Sequence, residues 1–488
     1  MPVQTQAAPA FPRRHPVMPA RIAGLAGMLL LSACQTFSSD GGMDTVADIA
    51  AATLDKRVVA IRTEEDAAAA RATLDRLLGR PLTADAAVQV ALLDNRGLQA
   101  AYDELAAAEA RMVGESLPPN PTFSLVRIAG SGGLEVERRI VADILALATL
   151  PARSEVARLR FHAAQLAAAL ETLRVATAAR RAYVEAVAAR ETVGFLTQAE
   201  ASARAAAELA KRLAETGAAN KLDQAREQVF SSETSAQLAA ARQRAASARE
   251  ALIRALGLAG PDLQFKLPAT LPALPRRART VRAVEADAIR RRVDLQIARI
   301  ELDALAKSYG LTQATRFIDV LDAGYADKIT RDGATGERAH LRGFEVRLQV
   351  PLFDFGEVRV REAQATYMQA VDRLAEKAVS VRSQAREAYA VYRSAYDIAN
   401  RYQRDILPLR RTIADETQLR YGAMQIDEFT LLTEARQRIN STIAAVEARR
   451  DFWLADADLL AAVVGGREVA AARTNTSPAA AASTASGH

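Results

Sequence analysis

Apolar or small residues fall at Val371, Leu374, Ala378, Val381, Ala385, Ala388, Tyr392, Ala395, Ala399, Tyr402, Ile406, Leu409 and Ile413, alternately three and four apart. That period, held over about six heptads, predicts one very long helix with a continuous packing seam. The seam is built of Ala and Tyr rather than Leu, so its neighbours should approach closely. Tyr421-Gly422 predicts a tight turn, after which a return helix carries on through Ala435. An earlier stretch follows the same plan. From Pro151 to about Glu215 there is no second Pro and only one Gly, Gly194. A helix of that length reaches ~95 Å at 1.5 Å per residue. Thr216 to Asn220 then predicts a turn, with a return helix from Leu222 to Leu256.

Before each long helix the period changes from 3.5 to 2. Thr122 to Ile128 and Leu134 to Val141 read as strands around Gly130-Ser131-Gly132-Gly133, a hairpin signal. Leu134, Val136 and Ile140 alternate with Glu135, Glu137 and Arg139, and Arg138 interrupts the apolar face. The second pair is Arg316 to Ala326 and Gly343 to Val350, joined by a polar loop with Asp332-Gly333 and Gly336. There Phe344, Val346, Leu348 and Val350 alternate cleanly with Glu345, Arg347 and Gln349. One apolar and one charged face suit a barrel strand between lipid and water, and equally a surface hairpin.

These elements divide the chain into repeats. Residues 34–80 form a tether and a helix over Asp44 to Leu78, stopped by Gly79-Arg80-Pro81. Residues 81–257 form the first repeat, opening on a helix capped by Thr83 that continues to about Met112. Residues 258–279 are a Pro-rich linker, and residues 280–465 form the second repeat, with a helix from Thr280 to Tyr309. Asp294-Leu295-Gln296-Ile297-Ala298 matches Gly97-Leu98-Gln99-Ala100-Ala101, which makes the duplication visible. Residues 466–488, rich in Ala, Ser and Thr, predict a disordered tail.

Composition narrows the function. Half the residues are hydrophobic but aromatics are only 5%, because Ala fills the helices. Of the net charge of +6, three charges come from Arg13, Arg14 and Arg21, so the remainder is nearly balanced. No basic cluster interleaved with aromatics points to nucleic acid. The single cysteine, Cys34, excludes an intramolecular disulfide and a zinc knuckle. It follows an apolar run, Ile22 to Leu31, too short for a stable anchor, and the ending Leu31-Ser32-Ala33-Cys34 reads as a signal peptide over residues 1–33. That ending resembles the bacterial lipobox, in which the cysteine becomes the lipidated first residue. Gln35 at the next position resembles the sorting signal for the outer membrane. His15, His162, His340 and His488 are scattered, with His162 at a packed seam position and His340 in a loop. No phosphate loop, zinc motif or nucleophile elbow is present, so neither catalysis nor a cofactor is expected.

Two hairpins supply four strands. Four strands cannot close a membrane barrel, and an open sheet edge cannot sit in lipid. Membrane strands would therefore have to be pooled between chains; three chains give twelve, though other counts are physically allowed. Pro81-Leu82-Thr83, Val350-Pro351-Leu352-Phe353-Asp354-Phe355-Gly356, Ile406-Leu407-Pro408 and Leu419-Arg420-Tyr421-Gly422 resemble the TolC-like outer-membrane efflux proteins. The resemblance spans Pro81 to Gly465, except that the first repeat has Leu150-Pro151-Ala152-Arg153 in place of Phe-Asp-Phe-Gly. It implies a mainly α protein with membrane β: duplicated helical hairpins forming a periplasmic α-barrel, and two β-hairpins contributing to a shared 12-stranded trimeric barrel.

The same resemblance implies a homotrimer in outer-membrane lipid, working with a periplasmic adaptor and an inner-membrane pump. The adaptor would meet the hairpin tips, Thr216, Gly217, Ala218, Ala219 and Asn220 in one repeat and Tyr421, Gly422, Ala423, Met424 and Gln425 in the other. Around a three-fold axis each tip charge becomes a ring, and acid rings bridged by Arg can close a pore. Arg420, Asp427 and Glu434, with Asp223 as first-repeat counterpart, are the candidates. Two other readings use the same features: a duct for secreted polypeptides, and a periplasmic adaptor or coiled-coil scaffold.

Overall fold

The computed structural model describes residues 37–216, 220–280, 283–426 and 428–465, with the side chains of Glu428 and Phe429 also left aside. The leader with Cys34, the tip residues Gly217, Ala218 and Ala219, Asp427 and the tail therefore lie outside the described residues.

The first segment is two helices, not one: α1 (Asp44–Leu54) and α2 (Glu64–Leu78). Asp55 turns left-handed at φ 53°, and an extended segment follows. Gln99 holds that segment, accepting from Ile61 N at 2.9 Å and donating to Val59 O at 3.1 Å. Thr63 and Asp66 then form a capping box that starts α2. Thr83 caps α3 (Ala84–Asp94), as expected, accepting from Ala86 N at 3.1 Å. The helix breaks at Asn95, whose side chain caps α4 (Arg96–Glu115) by accepting from Leu98 N at 3.0 Å. Gly257 closes over this break at φ 83°; a Cβ there would lie 2.8 Å from Asn95 Cα.

Strands β1 (Thr122–Gly130) and β2 (Gly133–Asp143) lead into α5 (Ile144–Glu215), 72 residues and about 108 Å long. Pro151 does not open this helix. Asp143 caps it eight residues earlier, accepting from Ala146 N at 2.8 Å. Within the helix, Pro151 removes the donor that would otherwise meet Leu147 O, near the helix start where the cost is confined to one bond. The return helix is α6 (Lys221–Leu256).

The second repeat has the same break. α7 (Val284–Arg291) and α8 (Val293–Ala314) meet at Arg292, which is buried and bonded to Asp294 at 2.9 Å and to Ala462 O at 3.2 Å. Strands β3 (Val320–Asp332) and β4 (Arg338–Gln349) extend further toward their turn than the expected 316–326 and 343–350. Lys328 to Arg331 and Arg338 to Arg342, polar in sequence, are strand because they pair across the ladder. The turn is fixed by Asp332 Oδ1, which accepts from Ala334 N at 2.8 Å and Thr335 N at 2.7 Å.

The heptad segment is α9 (Glu357–Arg401), a π turn at Tyr402–Ile406, and α10 (Leu407–Gly422). Pro408 explains the interruption. It lacks an N–H and its ring crowds the carbonyl four residues back, a conflict that a wider turn relieves. Tyr421 and Gly422 belong to the last helical turn; the reversal is at 423–426, before α11 (Glu428–Val464).

Buried seam residues Val381, Ala385, Ala388, Tyr392 and Ala399 pack α9 on α11 through Phe452. In the first repeat Leu92, Leu98, Tyr102 and Leu105 of α3 and α4 pack against α5. There Thr172 donates to Ala168 O at 2.9 Å, which leaves Tyr102 to donate to Thr172 at 2.9 Å. Burial pushes the Tyr102 phenol up to about 12. The Pro-rich linker straps the second repeat: Trp453 donates to Pro272 O at 3.2 Å and Tyr396 to Pro275 O at 3.1 Å. Tyr392 accepts from Arg279 N at 3.0 Å.

Candidate functional site: an exposed sheet and paired hairpin ends

The two β-hairpins form one four-stranded antiparallel sheet in the order β1-β2-β3-β4. β2 pairs with β3, so hairpins from different repeats are continuous. β1 and β4 are edges, each paired on one side only among the described residues. Period-2 alternation gives the sheet two unlike faces. On one, Phe123, Ile140, Tyr325, Phe344, Val346 and Leu348 stand exposed, Phe344 at 90%. Tyr325 and Phe344 lie across the ladder with ring centroids 5.7 Å apart, edge to face. The opposite face carries a net of ion pairs, Lys328–Glu135 at 2.6 Å, Arg139–Glu137 at 2.7 Å, Arg139–Glu345 at 3.5 Å and Arg347–Asp322 at 3.5 Å, with Val126, Ile128 and Leu341 exposed among them near the turns. An exposed apolar face backed by a charged one marks a boundary between an apolar medium and water. No helix of the described residues is long and apolar enough to cross a membrane.

At the far end of the helices the two hairpins pack together. Leu196 and Leu238 of the first meet Ile439 and Ile443 of the second. Arg436 reaches Glu233 at 3.2 Å and stands 5.3 Å over the Phe230 ring. A cleft of about 430 Å³ opens below them, lined by Phe195, Phe230, Thr417 and Leu431.

The expected tip charges do not form the expected network. Glu434 pairs with Arg410, at 3.2 Å, and not with Arg420; Arg410 also donates to Gln437 at 2.6 Å. Arg420 is exposed and makes no ion pair among the described residues. Asp223 is engaged within its own turn, accepting from Asn220 Nδ2 at 2.5 Å and pairing with Arg226 at 3.4 Å. Arg410 was missed because it sits beside a seam position. Counting outward in antiparallel register from a turn centred between 423 and 424 pairs 410 with 437, and would have found it.

The turn itself is built from backbone. Gln425 N donates to Arg420 O and Met424 N to Tyr421 O, both at 2.9 Å, a Schellman pair. Its left-handed position is Met424, at φ 59° and 94% exposed, where glycine is the usual choice. Thr216 closes the other helix by donating to Leu213 O at 3.0 Å, and Asn220 caps the return helix through Asp223 N at 2.9 Å. His162 is exposed, not packed, and His340 lies in β4 bonded to Asp327, not in a loop.

No family model and no curated protein matches the sequence. Solved structures do match. The Campylobacter jejuni CmeC outer-membrane channel is similar over 81% of this chain and 86% of its own, with a TM-score of 0.67 and 15% identity. This is an outer-membrane channel fold. The outer-membrane protein VceC of Vibrio cholerae shares it over 82% of this chain and 97% of its own, at TM-score 0.62 and 16% identity. The open-state MtrE outer-membrane channel of Neisseria gonorrhoeae shares it over 78% and 88%, at TM-score 0.61 and 16% identity. Within the channel fold, the exposed sheet leads into the start of α5, and the two hairpins pack together toward the other end of that helix.

Proposed function

We propose that the chain is the outer-membrane duct of a tripartite efflux system. Three copies pool their sheets into a 12-stranded barrel and their hairpins into a periplasmic tube. The carrying observation is the four-stranded sheet with one exposed apolar face and two edges. Such a sheet is stable in lipid only if other chains cover β1 and β4. Seam residues left exposed toward the helix ends, Leu409 and Ile413 among them, support lateral packing of the helices between chains.

In this reading Cys34 carries the lipid anchor and the duct is passive, with energy supplied by the inner-membrane pump. The tips, residues 216–220 and 421–425, receive the periplasmic adaptor. Arg410–Glu434 is the latch that holds the inner mouth, with Arg420, Asp427 and Asp223 as further candidates for closing it. The membrane sheet favours a duct over a soluble adaptor or scaffold. Fractionation tests the reading: the chain should sediment with outer membranes as an oligomer and conduct ions in planar bilayers. Recovery as a soluble monomer after deletion of the lipidation signal would contradict it.

A further inference from the structure

On the apolar face of the sheet, arginines stand among the aliphatic side chains Leu125, Val136, Ile329 and Leu134 in the rows nearest the turns. Beyond the Tyr325–Phe344 row come Arg138 with Arg342, then Arg127 with His340, then Arg331 with Arg338. Asp327 is the single acid in those rows. Arg138 and Arg342 each approach it at 3.8 Å, and His340 bonds to it. These rows thus hold five arginines and one carboxylate, and the Arg138 and Arg342 side chains remain 54% and 66% exposed. The other face at the same height is balanced, Glu135 and Glu137 against Lys328 and Arg139. The excess positive charge therefore belongs to the apolar side alone.

Arginine on a lipid-facing strand costs ~2–4 kcal/mol at mid-bilayer but ~0–1 near the interface. The band stands at the end of the sheet remote from the helices, which in the membrane reading is the outer leaflet. We infer that it is a docking surface for the phosphorylated head group of an outer-leaflet glycolipid, whose acyl chains lie along Phe344, Val346 and Leu348. Guanidinium forks match phosphate oxygens in pairs, and Asp327 holds Arg138 and Arg342 converging on one point. This inference rests on the membrane reading of the sheet.

The test is native mass spectrometry of the full-length protein in nanodiscs doped with bisphosphorylated lipid A or its dephosphorylated form. The phosphorylated form should be retained, and Arg138→Gln with Arg342→Gln should weaken retention by about tenfold, a 1.4 kcal/mol change. Arg331→Gln with Arg338→Gln, nearer the turns, should weaken it in the same direction and serves if the first pair does not assemble. Arg139→Gln with Arg347→Gln, on the other face, should leave it unchanged. Equal retention of the two lipids, or by all variants, overturns the inference while leaving the membrane reading intact. Displacement of the lipid by inorganic phosphate alone also overturns it, in favour of a free-anion site. Failure of the wild-type chain to enter nanodiscs at all overturns both.

Discussion

Ile140 lies opposite Tyr325 in the ladder between β2 and β3, which joins the last strand of one repeat to the first strand of the other. Each repeat alone would offer a two-stranded hairpin, marginal in water. Joined, they make a sheet wide enough to present a continuous apolar face, but still one with two edges. Everything proposed for this protein follows from how those edges are satisfied.

The apolar face should not tolerate charge at its centre. Phe344→Arg places a cation on the most exposed aromatic of the face, at a cost of ~2–4 kcal/mol per chain if it faces mid-bilayer. Outer-membrane recovery, measured by fractionation, should fall sharply. Glu345→Gln, one residue on and on the ion-paired face, should preserve recovery and change only ion selectivity.

In the proposed duct the latch at the inner mouth is Arg410. Its pairing with Glu434 is partly solvated, so removing it should cost no more than about 1 kcal/mol of stability. Arg410→Ala and Glu434→Ala should each raise single-channel conductance in planar bilayers. Arg420→Ala, which removes no ion pair among the described residues, should raise it less.

Met424 separates a turn's geometry from its surface. Met424→Gly removes left-handed strain of about 1 kcal/mol and with it the exposed side chain. Amide exchange at position 424 and at Gln425 should slow, while binding of the periplasmic adaptor weakens. A variant that binds adaptor as well as wild type would show that this side chain is not part of the contact.

Acid should loosen the brace between α2 and the linker. Arg71 donates to both oxygens of Asp262, at 2.5 and 2.6 Å, and holds that carboxyl below its usual range. A lowered folded-state pKa means the contribution is present above the ordinary carboxylate pKa and is lost as pH falls through the folded value. Thermal melts of wild type and Arg71→Ala should therefore differ at pH 7 and converge as the pH falls below the ordinary carboxylate range.

Periodicity revealed the long helices, the duplication and the alternating strands, because each buries or exposes one face along its whole length. Breaks at Asn95 and Arg292 were invisible: neither residue forbids helix, and both breaks are set by tertiary contacts, with Gly257 and Ala462 O. Strands β3 and β4 were drawn too short because Lys328 and Arg331 read as loop when judged by polarity, yet pair across a ladder. Pro151 misled for the opposite reason, since a proline early in a long helix forfeits a single bond. Arg420 was chosen over Arg410 by closeness to the turn, whereas helix-hairpin register decides which charges meet.

The central claim is that the edges β1 and β4 are covered by other copies of this chain, three around one barrel. Cysteine pairs with one member on β1 and one on β4, scanned along both strands and oxidised in isolated outer membranes, test it most directly. The account predicts a ladder ending at three linked chains for pairs in register. Chains that stay monomeric across the whole scan, or ladders that pass beyond three, would contradict it.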